Sequence, residues 1–162
     1  MSQTPHRATN PAGKPRPRLV TLDLKTARRM LPLVASIVND LVEHRRTIRQ
    51  LTPEQERLFR NRRHLDWSGR QRRYQINEEI AAAERSFADA LSELQGLGVQ
   101  LVDDVVGEVD FPTKILGRPA AFSWRLGETN VTYWHYQGES ARRPIPAEWE
   151  QGVPTGTNRP MR

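Results

Sequence analysis

Asp110, Glu128 and His135, in this 162-residue sequence, are of types that suit proton transfer or metal ligation. Two carboxylates and an imidazole can serve as an acid/base set, and the same trio suits zinc, manganese or iron(II). They lack the i, i+3 or i, i+4 spacing of a helical metal motif, so no metal is expected. Plainer roles are the default: Asp110 braces a turn before Phe111-Pro112, Glu128 is a solvated hairpin tip, and His135 is a hydrogen-bonded core residue. Arg118 and Arg142 have the planar fork that grips a phosphate or carboxylate through two parallel bonds. Their alternative partners are Asp103, Asp110 or Glu128 within the fold.

A second group lies upstream. Arg57, Arg60, Arg62, Arg63, Arg70, Arg72 and Arg73 crowd into one stretch, after Arg45, Arg46 and Arg49. Clustered guanidiniums meet phosphates, and Trp67 and Tyr74 can add stacking on bases. The opposing reading is a solvated hairpin end in an arginine-biased sequence, with Glu54 and Glu56 compensating part of the charge. No helix-turn-helix, zinc-finger or RNA-recognition pattern accompanies the cluster. Phosphate-loop, dinucleotide and nucleophile-elbow patterns are also missing, so ATP, NAD and serine-hydrolase chemistry have no support.

The net charge of +6 is unevenly placed. Residues 1–18 carry four positive charges, 19–43 balance, 44–73 carry an excess of seven, and 74–96 and 97–162 are mildly acidic. With no cysteine there is neither a disulfide frame nor a thiolate metal site. No apolar run reaches the roughly 18 residues a membrane span needs, and Met1 to Arg18 lacks a signal-peptide core. A cytoplasmic protein with no membrane partner is expected.

The elements that must position these residues follow from the apolar period. Asp23 can cap a helix running to about Gln50, with Leu31, Val34, Val38, Leu41 and Val42 at helical spacing. Pro32 should kink it or end a short first turn. Thr52-Pro53-Glu54-Gln55 reads as a fresh start with a Thr cap, giving a short basic helix to about Leu65. Asp66 to Gly69 reads as a break, and a third helix from about Gln71 to Gln95 carries Ile80, Ala83, Phe87, Leu91 and Leu94.

After Gly98 the period changes to two. Val99–Val102, Val109–Phe111, Ala120–Arg125 and Val131–Tyr136 read as strands, divided by Gly107, Pro112, Gly117 and the five residues 126–130. If Leu126 pairs with Val131, Trp124 opposes Tyr133 and Phe122 opposes His135, which sets His135 among aromatics. The fold expected is α+β: a long antiparallel helical hairpin (23–96) followed by a small antiparallel sheet (98–145), one domain over 19–145. Residues 1–18 and 146–162, rich in proline and polar residues, are expected to be disordered.

Gly98-Val-Gln-Leu-Val-Asp103, Gly107-Glu-Val-Asp-Phe-Pro112, Gly117-Arg118, Trp124-Arg-Leu-Gly-Glu128, Tyr133-Trp-His135 and Arg142 form an ordered series. It resembles an uncharacterised bacterial family, the domain of unknown function two-two-zero-three, whose pattern runs G-x-x-x-K-D, G-L-V-D-F-P, G-R, W-K-x-G-E, W-H-E and G-R. Leu22 to Leu33, with Leu31-Pro32, looks like that family's opening helix, so the resemblance spans about Leu22 to Ile145. Val102 stands where the pattern has Lys, Glu108 where it has Leu, and Tyr136 where it has Glu. The interval from His135 to Arg142 is about two residues short. The resemblance implies a fold and a set of positions, not an activity.

Charges mixed with Phe111, Trp124, Tyr133 and Trp134 either close on one another or surround a cavity. The expectation is a cavity: a polar-aromatic pocket for a small anionic ligand or a protein partner, lined by Asp110, Arg118, Glu128, Trp134, His135 and Arg142. It needs no cofactor and is more readily a binding site than an enzyme's. An RNA- or ribosome-binding protein using the arginine-rich segment 45–73 is the alternative. A small metal-dependent enzyme is the third reading.

Overall fold

A computed structural model describes residues 20–156. Asp23 ends the extended lead-in, its carboxylate accepting from the Thr26 amide at 2.6 Å, and helix α1 (Leu24–Arg60) begins. Leu24, Ala27, Leu31, Val34, Ile37, Val38, Leu41 and Val42 form its buried stripe. Helix α2 (Trp67–Gly96) is capped in the same way by Asp66, which accepts from the Gly69 amide at 2.8 Å. The two run antiparallel, with α1 Glu54 bonded to α2 Arg72 and Arg45 stacked on Phe87.

The expected helix break at Thr52-Pro53 does not occur. α1 continues through both Pro32 and Pro53, and the only interruption of the hairpin is the loop 61–66. Thr52 does not cap; its hydroxyl donates back to the Ile48 carbonyl at 2.6 Å. An interior proline costs a helix about 3 kcal/mol. What offsets it is a second apolar cluster, in which Leu51 and Leu58 of α1 meet Leu65, Ile76 and Ile80. A break at 52 would have pulled Leu58 out of line with Ile76. The expected break at 66–69 is likewise corrected, since Asp66 starts a helix that the Gly69 position continues.

Five strands follow in chain order: β1 (Gln100–Asp103), β2 (Glu108–Ile115), β3 (Arg118–Arg125), β4 (Tyr133–Tyr136) and β5 (Arg143–Pro144). They form an antiparallel meander, β1-β2-β3-β4-β5. Pro112 does not end β2, contrary to expectation. β1 reaches only as far as Asp110, so Pro112 lies on an open edge where its missing N–H costs no ladder bond. Its carbonyl there accepts from the Leu22 amide at 2.7 Å.

One face of the sheet packs on the helices. Val109, Phe111 and Ile115 of β2, Phe122 and Trp124 of β3, and Trp134 and Tyr136 of β4 share a core with the α1 stripe. Gly107 lets the turn before β2 approach α1. Its φ is +77°, and a Cβ there would lie 2.9 Å from both Val38 and Leu126.

The expected β3–β4 register is also corrected. Phe122 opposes Trp134, Ser123 opposes Tyr133 and Ala121 opposes His135. A slip of one residue reverses the face of every side chain in β4. His135 therefore stands on the outer face, away from Phe122 and Trp134.

Beyond β5, residues 146–156 are ordered, against the expectation of a disordered tail from 146. A short 3-10 helix (Ala147–Gln151) brings Trp149 to 5.0 Å from Trp134, and Arg28 of α1 grips Glu150 with 2.6 Å and 2.7 Å bonds. The expectations for 1–18 and for 157–162 fall outside the described residues.

Candidate functional site

Two groupings result. The first occupies the outer face of the sheet. Pleating sends Glu108 and Asp110 of β2, Ser123 and Arg125 of β3, and Tyr133 and His135 of β4 to that side. His135 Nε2 lies 2.9 Å and 3.0 Å from the two Asp110 oxygens, and His135 Nδ1 donates to the Tyr136 carbonyl at 2.9 Å. Arg142, just before β5, donates to both Glu128 oxygens at 2.6 Å and 2.8 Å. It also reaches the Ser123 hydroxyl and carbonyl at 2.9 Å and 3.3 Å, and its guanidinium lies 4.2 Å from the Tyr133 ring centre. Ser123 in turn lies 3.3 Å from Glu108, which also accepts from Arg125 at 3.2 Å.

Both ring nitrogens of His135 face acceptors, a geometry that favours a proton held between His135 Nε2 and Asp110. Burial pushes the Asp110 carboxyl up, more than the facing imidazole pulls it down. Burial works against a charged His135, but Asp110 and the Tyr136 carbonyl outweigh it and hold the imidazole above its ordinary value. Since the two shifts concern one shared proton, what they establish together is that the pair keeps that proton to higher pH. At Glu128 burial is likewise outweighed, here by Arg142 and the Arg125 amide, and its carboxyl sits below the usual range. The Glu128 carboxylate conversely raises Arg142.

The six residues expected to line one pocket are thus divided between the two faces. Asp110, Glu128, His135 and Arg142 meet on the outer face. Trp134 is buried on the core face, against Tyr136 and Trp149. Arg118 stacks on Tyr136 at 3.9 Å, on the face of the sheet opposite Arg142, so the two arginines form no clamp. The outer group closes on itself: among the described residues no buried side-chain nitrogen or oxygen lacks a hydrogen-bond partner. Nor, among them, is any group of three or more His, Asp or Glu arranged to hold a metal ion. Ser123 and Glu108 were not singled out in the sequence. The signal was there for Ser123, a lone hydroxyl between Phe122 and Trp124 in a strand of alternating faces.

The second grouping is the hairpin tip, where α1 ends and α2 begins. Glu54 takes Arg72 through two 3.0 Å bonds and has Arg57 at 3.9 Å. Among the described residues, Arg60, Arg62, Arg63, Arg70 and Arg73 have no carboxylate in ion-pair contact, and Asp66 feels the charge of Arg70 from farther off. Three aromatic rings stand exposed among them: Phe59 at 52%, Trp67 at 66% and Tyr74 at 69%. Arg62 and Arg73 stack on Phe59, at 4.2 Å and 5.7 Å from its centre. Phe59 went unremarked in the sequence because it falls about 100° around the helix from Leu58, off the buried stripe.

A family model described as an uncharacterized conserved protein (DUF2203) matches residues 21–145. The chain belongs to the DUF2203 family. That match covers α1, α2, the whole sheet and both groupings, and with them the ordered motif series from Gly98 to Arg142. No curated protein and no solved structure matches the chain. Among the described residues of this DUF2203 chain, no helix is long and apolar enough to cross a membrane.

Proposed function

We propose that this DUF2203 chain binds nucleic acid through the tip of its helical hairpin, in a cytoplasmic setting. One observation carries the reading: five arginines without a carboxylate in ion-pair contact share the hairpin tip with three exposed aromatic rings, Phe59, Trp67 and Tyr74. Unneutralised guanidiniums crowded on a surface repel one another and attract a polyanion. Large exposed aromatics among them supply what phosphate contacts alone lack, a surface for bases.

The β unit offers an anion less. Arg142 spends its donors on Glu128 and Ser123, and Arg118 lies on the opposite face. A small anionic ligand there would have to displace Glu128 first. The acid and base candidates, Asp110 and His135, satisfy one another.

The test is binding of a fluorescent RNA oligonucleotide to the full chain and to a variant carrying Arg60→Gln, Arg63→Gln, Arg70→Gln and Arg73→Gln. The variant is expected to bind at least tenfold more weakly with a nearly unchanged melting temperature, since Arg60, Arg63 and Arg70 are exposed and Arg73 is half-buried beside Phe59. Equal binding by the two proteins would remove the tip from the function.

A further inference from the structure

Trp67 and Tyr74 are seven residues apart on α2, so they lie within about 20° of the same helix face. Their attachment points are separated by about 10.5 Å along the axis. Between them is a shallow cavity of about 380 Å³ lined by Trp67, Arg70, Gln71, Tyr74 and Gln75. Neither ring makes a hydrogen bond, ring contact or cation contact among the described residues, and the Gln71 and Gln75 amides are likewise unpaired and exposed. Arg70 uses one nitrogen on the Leu65 carbonyl at 3.0 Å and keeps its other donors.

We infer that this notch takes unpaired bases, so that the tip selects single-stranded over double-stranded nucleic acid. The inference rests on the nucleic-acid reading of the tip. Each part of a nucleotide has a counterpart. The two rings offer flat faces for stacking, and a spacing near 10.5 Å leaves room for one or two bases at about 3.4 Å each. A glutamine amide carries both donor and acceptor, as an unpaired base edge does. Arg70 is placed for the adjoining phosphate. In a duplex the base faces are already covered by neighbouring bases, so Trp67 and Tyr74 would stay in water against the backbone. A second copy of the chain is a poor occupant, because its own arginine tip repels this one.

The probe is an oligonucleotide of about 12 residues, within the usual range of single-strand site sizes. It is compared with its duplex and with an abasic strand of equal length, at one salt concentration. The single strand is expected to bind at least tenfold more tightly than either comparator. Trp67→Ala and Tyr74→Ala should each weaken single-strand binding roughly five- to hundredfold, the range for loss of one stacking partner. Duplex binding should not change. Both positions are exposed, and circular dichroism would verify that the variants fold. Equal affinity for single strand, duplex and abasic strand would overturn the inference while leaving phosphate binding by the tip intact. No binding of any oligonucleotide would overturn both. So would dimerisation of the chain that Trp67→Ala abolishes, if no oligonucleotide competes with it.

Discussion

His135 and Asp110 meet over the top of β3, two strands apart, because the residues beneath them are small. Neighbouring strands are about 4.8 Å apart, so β2 and β4 are separated by roughly twice that. Ala121 lies opposite His135 and Ser123 opposite Asp110, and neither rises far enough to block the 2.9 Å contact. Three carboxylates on this face, Glu108, Asp110 and Glu128, are matched by Arg125, Arg142 and a charged His135. The balance holds only while His135 carries its proton.

The pH dependence of stability follows from that pair. The pair keeps its shared proton to higher pH in the fold, so where it titrates the folded chain still holds a proton that the unfolded chain has released. Stability from His135 is fully present below its unfolded value of about 6.5 and falls as pH rises through its higher folded value. Urea melts of the wild type and His135→Gln from pH 5.5 to 9 should show a stability gap that narrows with pH. A gap that widened toward pH 9 would mean that the imidazole is held neutral. Glu128 works in the opposite sense: its contribution should be lost only as pH falls below about 4.5, through its lowered folded value.

Ala121→Val tests the bridge over β3. Branching at this position puts a methyl group under the imidazole and should part His135 from Asp110. The imidazole NMR titration of His135 is expected to move down in the variant. An unmoved titration would show that the pair forms by another route.

Arg142→Ala leaves Glu128 partly buried without its guanidinium partner. The Arg142 side chain is 10% exposed and Glu128 25%, between a surface pair and a sealed one. The loss expected is about 1–3 kcal/mol, between the values typical of exposed and of buried pairs. This reverses the cavity expected from sequence, in which like charges would converge and their removal would cost little. A double-mutant cycle with Glu128→Gln should show coupling. Additive effects would mean that the 2.6 Å contact contributes nothing in solution.

Gly107→Ala combines a left-handed φ with a collision against Val38 and Leu126. Strain of about 1–3 kcal/mol and overpacking of similar size give an expected loss of about 2–6 kcal/mol. A variant as stable as wild type in urea would show that the turn can retreat from α1.

Legibility varied with how local the deciding interaction was. The Asp23 cap and the change of period at Gly98 are local, and both could be read directly. The continuation of α1 through Pro53 was not, because Leu58 finds Ile76 only in the folded hairpin. The β3–β4 register failed for a comparable reason. Leu126 gives its amide to Gly107 of another turn instead of pairing with Val131, and β4 starts only at Tyr133. That single residue of slip decided whether His135 faced Phe122 or Asp110. The basic segment was visible as composition. Which arginines are free could be known only once Glu54 had taken Arg72.

Salt dependence measures the tip most directly. For the full chain bound to single-stranded RNA, log K is plotted against log salt concentration for the wild type and for the variant with Arg60, Arg63, Arg70 and Arg73 changed to Gln. Each phosphate contact contributes about 0.7 to the slope, so losing four should flatten it by about 3. The basic residues before Val20 are common to both proteins and cancel in the difference. A flattening of that size is the expected result. Identical slopes, or no binding by the wild type at low salt, would contradict nucleic-acid binding by the hairpin tip.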